Sequence, residues 1–238
     1  MGGALAEVAA EYRLKLSQCG YVFNIVAIKS ILPKDQPFDY QLAMDRLAGY
    51  RFPRNKLSQL CSSGEIVRVK KGLFIPASPD SNDPSPVDPL VLAGLIYGPS
   101  YVSLETALAR HGLIPERVTE ITCMTTKRSR AFQTPIGRFS YHSINPCVFS
   151  YGMTIESAPG GTYFLATPEK ATCDRLAQIK GIRAQRDIPS VIEEYLRIDI
   201  DDVLRFQDSE IHEIARRYRR NSVTTFAKWF SATTRSIV

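Results

Sequence analysis

The chain is poor in the residues that metal centres and redox frameworks need. It has three histidines, His111, His142 and His212, and five cysteines, Cys19, Cys61, Cys123, Cys147 and Cys173, with no C-x-x-C pair. Odd, scattered cysteines fit free thiols in a reducing compartment better than a disulfide scaffold. The histidines lack ligand spacing, so no metal site is expected. No apolar run reaches the roughly 18 residues of a membrane span; the best candidate, 21–32, carries Asn24 and Lys29. The first residues show no basic stretch ahead of an apolar one, so no secretory signal is read. Ala6 stands where a myristoylation site needs Ser or Thr. The expectation is a cytoplasmic protein with no membrane partner. Phosphate loops of the form G-x-x-x-x-G-K-[ST] and nucleophile elbows of the form G-x-S-x-G are also missing. No catalytic residue and no cofactor is therefore assigned, and a non-enzymatic protein is expected.

What is present is an ordinary globular composition with an uneven charge. The 238 residues are 44% hydrophobic and 23% charged, with a formal net charge of +6. That length suits one large or two small domains. Residues 1–78 carry 11 basic and 6 acidic side chains, a net of +5; the remaining two thirds carry 19 and 18. Basic excess concentrated in one segment points to a polyanionic partner. The stretch from Pro76 to Pro89 holds five prolines and few apolar residues. Proline fixes φ and removes a donor, so this reads as a semi-rigid linker. The expected organisation is an N-terminal domain over 1–77, a linker over 78–89 and a C-terminal domain over 90–238.

Local pattern predicts helices at Glu7–Gln18, Tyr21–Leu32, Tyr40–Ala48 (capped by Asp39) and Pro53–Ser63 (closed by Gly64). Ile66–Lys70 and Leu73–Ile75 about a Lys71-Gly72 turn predict a hairpin. After the linker, helices are expected at Leu90–Tyr97, at Leu104–His111 with Ser103 as cap, at Pro168–Ile179 with Thr167 as cap, and from Ile188 onward. Strands are expected at Glu120–Thr125, Phe139–Ser143 and Tyr163–Ala166. The predicted fold class is α+β: a winged helix-turn-helix, then a larger mixed α/β domain with strands mainly first.

In that reading the helix from Pro53 is the recognition element. At 100° per residue Leu57, Leu60 and Cys61 fall on the core side. Asn55, Gln59 and Ser62 fall opposite, with Lys56, Ser58 and Ser63 on the flanks. Asn and Gln pair bidentately with adenine edges in the major groove. Seven cations, Arg46, Arg51, Arg54, Lys56, Arg68, Lys70 and Lys71, surround it against Glu65 alone. Strand alternation puts Arg68 and Lys70 on one face of the hairpin and Val67 and Val69 on the other. Asn55, Ser58, Gln59 and Ser62 would thus read bases, while Arg54, Lys56, Arg68, Lys70 and Lys71 hold phosphates. The plain alternatives are a solvated helix beside a basic hairpin, or a winged helix that docks protein. Elsewhere, Asp199, Asp201 and Asp202 read as helix-start electrostatics ahead of a divalent-ion site. Arg216, Arg217, Arg219 and Arg220 read as the solvated side of a helix ahead of a nucleic-acid contact.

Four segments in order carry a resemblance: Tyr101–Pro115 (YVSLETALARHGLIP), Ile121–Arg130 (ITCMTTKRSR), Phe132–Tyr141 (FQTPIGRFSY) and Ala166–Ala171 (ATPEKA). Together they resemble the AbiEi-type antitoxins of bacterial abortive-infection toxin–antitoxin systems, over about Leu57 to Leu176. The basic run Gly64–Phe74 also looks like that family's N-terminal module. The resemblance implies a winged-helix domain that represses its own promoter DNA. It also implies a C-terminal domain that opposes a nucleotidyltransferase-like toxin, without need of a stable complex. About 35 residues precede the Asp39-capped helix, where the family's module usually starts near the N-terminus. Cys173 stands where leucine is usual. Lys127, Arg128 and Arg130 are the basic part of the matched region and the candidate antitoxicity surface. The rival readings are a nuclease or nucleotide-modifying enzyme delivered by its winged helix, and a solitary regulator.

Overall fold

The structure, a computed structural model, describes residues 32–78 and 86–237. The expected helix Glu7–Gln18, all of Tyr21–Leu32 but its last residue, and 79–85 of the expected linker lie outside the described residues. The chain divides into two units between Pro86 and Val87.

The first unit packs two helices on a small antiparallel sheet. Its elements are β1 (Phe38–Asp39), α1 (Tyr40–Arg46), α2 (Pro53–Ser62), β2 (Ile66–Lys70) and β3 (Leu73–Pro76), with sheet order β1-β3-β2. Asp39 caps α1 by accepting from Leu42 N at 2.8 Å, as its sequence position predicts. Pro53 opens α2, where its missing N–H costs nothing. The exit of α2 is a Schellman turn: Gly64 N donates to Cys61 O and Glu65 N to Leu60 O, with Gly64 at φ +74°. That turn feeds the chain directly into β2. Leu57 and Leu60 of α2 join Phe38, Ala43, Leu47, Ile66 and Phe74 in the core. Cys61 packs against its edge, half-buried.

Two features of this sheet depart from expectation. The third strand, β1, pairs Phe38 with Phe74 and Asp39 with Leu73, and the two phenylalanine rings stack at 5.8 Å. In addition, a bulge interrupts β2. Arg68 lies opposite Phe74 and Lys70 opposite Leu73, leaving Val69 as the extra residue. Arg68 and Lys70 therefore occupy successive register positions and do not share a face by simple alternation. Ile66 and Val69, three apart, are the buried residues of the strand, and Val67 is only half-buried.

The second unit is α+β. A six-stranded mixed sheet runs in the order β6-β7-β5-β4-β9-β8. The strands are β4 (Ser100–Val102), β5 (Glu120–Thr125), β6 (Arg130–Thr134), β7 (Gly137–Ser143), β8 (Met153–Ala158) and β9 (Gly161–Ala166). Pairs β5/β7 and β4/β9 are parallel and the others antiparallel. The helices are α3 (Pro89–Ile96), α4 (Leu104–Arg110), α5 (Pro146–Phe149), α6 (Pro168–Gln178), α7 (Ile200–Val203), α8 (Asp208–Tyr218) and α9 (Asn221–Ile237). An irregular helical stretch at 185–195 includes a π turn at Val191–Tyr195. Helices α3 to α5 interleave with the strands, so the expected order of strands first and helices after holds only beyond β9. The end of the expected linker belongs to this unit. Val87 is buried, Asp88 N donates to Pro159 O, and Asp88 caps α3.

Helix α6 is buried almost throughout, from Glu169 to Asp174 without a break. Thr167 caps it, accepting from Lys170 N at 3.2 Å. Gly152 passes beside its first turn at φ +71°. A Cβ there would lie 2.9 Å from Lys170 Cβ and 3.2 Å from its Cγ. Gly152→Ala is therefore expected to destabilise the unit by about 2–4 kcal/mol, combining left-handed strain with overpacking. Thermal denaturation should show a midpoint lower by roughly 5–10 °C.

Candidate nucleic-acid interface

The outward side of α2 is polar and open. Arg54, Asn55, Ser58, Gln59 and Ser62 are exposed, while Leu57 and Leu60 point into the core. The hairpin stands beside it, and Tyr40 N donating to Gly72 O ties the start of α1 to the hairpin turn. Between α2, Tyr40 and the hairpin lies a groove of about 620 Å³. Leu57, Cys61 and Phe74 form its apolar lining, and Arg54, Arg68, Lys71 and Ser58 supply its polar one. Burial raises the Cys61 thiol pKa, with Arg68 pulling the other way.

The structure thus brings together three of the expected phosphate holders, Arg54, Arg68 and Lys71. It places the others differently. Lys56 is half-buried, donates to Gln59 Oε1 at 3.1 Å and sits 5.7 Å from the Tyr50 ring centroid. Its ammonium therefore orients Gln59. Lys70 is half-buried beyond the bulge. Asn55, Gln59 and Ser62 lie outside the groove on the open side of α2. Ser62 Oγ is turned back onto Ser58 O at 3.0 Å, as a hydroxyl in a helix often is.

Charge pairing separates the two units. Nine ion pairs join described residues, and all nine lie in the second unit, from Arg138–Glu120 to Arg217–Glu213. Setting Lys70 aside, no Lys or Arg among the described residues of the first unit has a carboxylate within ion-pair distance. Unpaired cations around a concave surface keep their full field available to an external anion. Compared with models of known protein families and with curated proteins, the chain matches none.

The remaining sequence candidates resolve into structural roles. Asp199 Oδ1 accepts from Asp201 N at 2.8 Å and caps α7. No group of three acidic, His or Cys side chains suited to a metal occurs among the described residues. Arg216 and Arg217 both bind Glu213, which holds its carboxyl down at a pKa of about 2. His111 Nε2 lies 2.8 Å from Ala166 O, which makes it a packing residue. Ser103 sits at the N-cap position of α4 but makes no cap bond; its hydroxyl donates to Asp174 Oδ2 at 2.7 Å. Lys127, Arg128 and Arg130 are exposed on the loop after β5 and the start of β6.

Sequence reasoning missed the polar centre of the second unit. Asp174, fully buried, accepts from Tyr101 OH at 2.8 Å, Ser103 Oγ at 2.7 Å and Tyr218 OH at 2.5 Å. Lys170, equally buried, places its ammonium 3.0 Å from Asp174 Oδ1. That ammonium has no well-aligned hydrogen-bond acceptor and lies 4.9 Å from the Tyr218 ring centroid and 5.5 Å from that of Tyr101. Every group is enclosed, so the cluster reads as a packing device that joins β4, α6 and α8.

Proposed function

We propose that the chain is a DNA-binding antitoxin that represses its own operon. Its first unit acts as a winged helix on promoter DNA, and its second opposes a nucleotidyltransferase-like toxin. The observation that carries the DNA half is the set of unpaired cations, Arg54, Arg68 and Lys71, gathered around the exposed side of α2. Helix α2 carries no acidic residue, and its N-terminal end favours a phosphate through its free N–H groups. Arg54, Arg68 and Lys71 hold backbone phosphates, while Asn55, Ser58 and Gln59 reach base edges. The antitoxin half rests on the resemblance of Tyr101–Ala171 to AbiEi-type antitoxins. The same arrangement serves a solitary regulator if no toxin gene lies beside the gene for this chain.

A gel-shift titration against the upstream promoter tests the DNA half. With about four to six phosphates neutralised, log K should fall against log salt with a slope of roughly −4 to −5 between about 50 and 200 mM. A flat response, or no shift with any duplex, removes this reading and favours a protein-docking module. Metal-dependent cleavage of the probe would favour the enzyme reading instead.

A further inference from the structure

We infer that the loop 126–129 and the edge strand β6 form a second binding surface, one for the unpaired bases of a single-stranded nucleic acid. It lies wholly in the second unit and does not depend on the winged-helix reading. The segment around it is acid-free: between Glu120 and Glu156 the chain has no Asp or Glu. Lys127, Arg128 and Arg130 are exposed, and none has a carboxylate within ion-pair distance. Elsewhere in this unit many arginines are neutralised, so these three form its free positive patch.

Beneath the cations lies an aromatic platform. The Lys127 ammonium is 5.2 Å from the Tyr97 ring centroid, and the Arg130 guanidinium is 5.0 Å from that of Phe132. The Tyr97 and Phe132 rings meet at 5.4 Å, and both meet Tyr141 edge-on, at 5.3 and 5.7 Å. Tyr141 anchors the platform from within, buried and donating to Ala93 O at 2.7 Å. The loop is fixed in place as well. Tyr97 OH donates to Arg128 O at 3.2 Å, Ser143 N to Ser129 Oγ at 2.9 Å, Lys127 N to Thr125 Oγ1 at 3.2 Å, and the Lys127 ammonium to Gly98 O. The patch is thus preorganised, so binding need not order it.

Cations alone would suit any acidic partner. What selects unpaired bases is the planar guanidinium backed by a ring, which leaves its second face for stacking. Bases inside a duplex have no face to offer, whereas single strands stack on such platforms with little sequence preference. Phosphates between the bases fall to Lys127 and Arg128.

The test uses the full chain carrying Arg54→Ala, Arg68→Ala and Lys71→Ala, so that the first unit's groove does not contribute. Fluorescence anisotropy with a labelled oligouridylate is then measured at about 0.1 M salt. Adding Arg128→Ala and Arg130→Ala should weaken binding roughly twenty-fold, since each lost single-strand phosphate contact costs about fivefold there. Arg130→Lys, which keeps the charge and loses the plane, should weaken it several-fold. The proposal is overturned if the Arg130→Lys chain binds like its parent, if the double alanine change has no effect, or if polyglutamate of equal charge competes as well as the oligonucleotide. The last result would assign the patch to an acidic protein. None of these outcomes bears on duplex binding by the unaltered chain.

Discussion

Replacing Arg54, Arg68 and Lys71 together by alanine should lower affinity for promoter duplex about 500-fold at 0.1 M salt. The same change should flatten the salt dependence by about 2.7 in slope, because each phosphate neutralised on duplex DNA contributes about 0.9. The size of the effect follows from position. The three side chains line one groove beside α2 and have no carboxylate to satisfy first, so all of their charge is available to phosphate. Stability should hardly change, since exposed cations without partners contribute little to folding. Loss of binding with an unaltered melting curve would therefore locate the effect in recognition. Arg138→Ala and Arg216→Ala supply the contrast: both arginines are paired, to Glu120 and Glu213, and their loss should move duplex affinity by less than about threefold. An unchanged slope in the triple variant would mean that the groove does not meet the DNA backbone.

Much of the first unit was legible because its signals are local. Pro53, the Leu57–Leu60 spacing and Gly64 bound and orient α2 without reference to the rest of the chain. Asp39 does the same for α1. The parts that escaped depend on a partner. Strand β1 is two residues long and exists because β3 offers a second edge to Phe38. The β2 bulge defeats a period-of-two reading, since Ile66 and Val69 bury themselves three apart. Strands β6 and β8 are sheet edges with mostly exposed side chains, so they carry little alternation to read.

The site shows the same division. That α2 presents Arg54, Asn55, Ser58 and Gln59 outward follows from helical geometry alone. That Arg54, Arg68 and Lys71 converge while Lys56 turns to Gln59 does not, because it depends on the hairpin's placement against α2. The second unit's polar centre was hidden for a related reason. Lys170 and Asp174 stand four apart on a helix, a spacing that normally marks a solvated ion pair. Their burial is decided by Tyr101 and Tyr218, which lie 73 and 44 residues from Asp174 in sequence.

Asp174→Asn is expected to be the most destabilising single change in the chain, by about 3–5 kcal/mol in urea unfolding, because it leaves the Lys170 ammonium buried without its counter-charge. Three hydroxyls, from Tyr101, Ser103 and Tyr218, also lose the carboxylate oxygens they donate to. Replacing both charges, Lys170→Met with Asp174→Asn, removes the uncompensated ion and should recover part of the loss. If the double variant were no more stable than Asp174→Asn alone, the charge pair would not be the source of the effect. The cluster also sets an alkaline limit. Burial first, and then the negative charge of Asp174, raise the Tyr101 and Tyr218 pKa values well above their ordinary value near 10. The folded chain thus holds these protons more tightly than the unfolded chain does. Their contribution is complete below the unfolded tyrosine pKa and is lost as pH rises above it towards the folded values. Unfolding free energy should accordingly fall above about pH 10, and the decline should be shallower in a Tyr218→Phe variant, which has no proton to lose at that position.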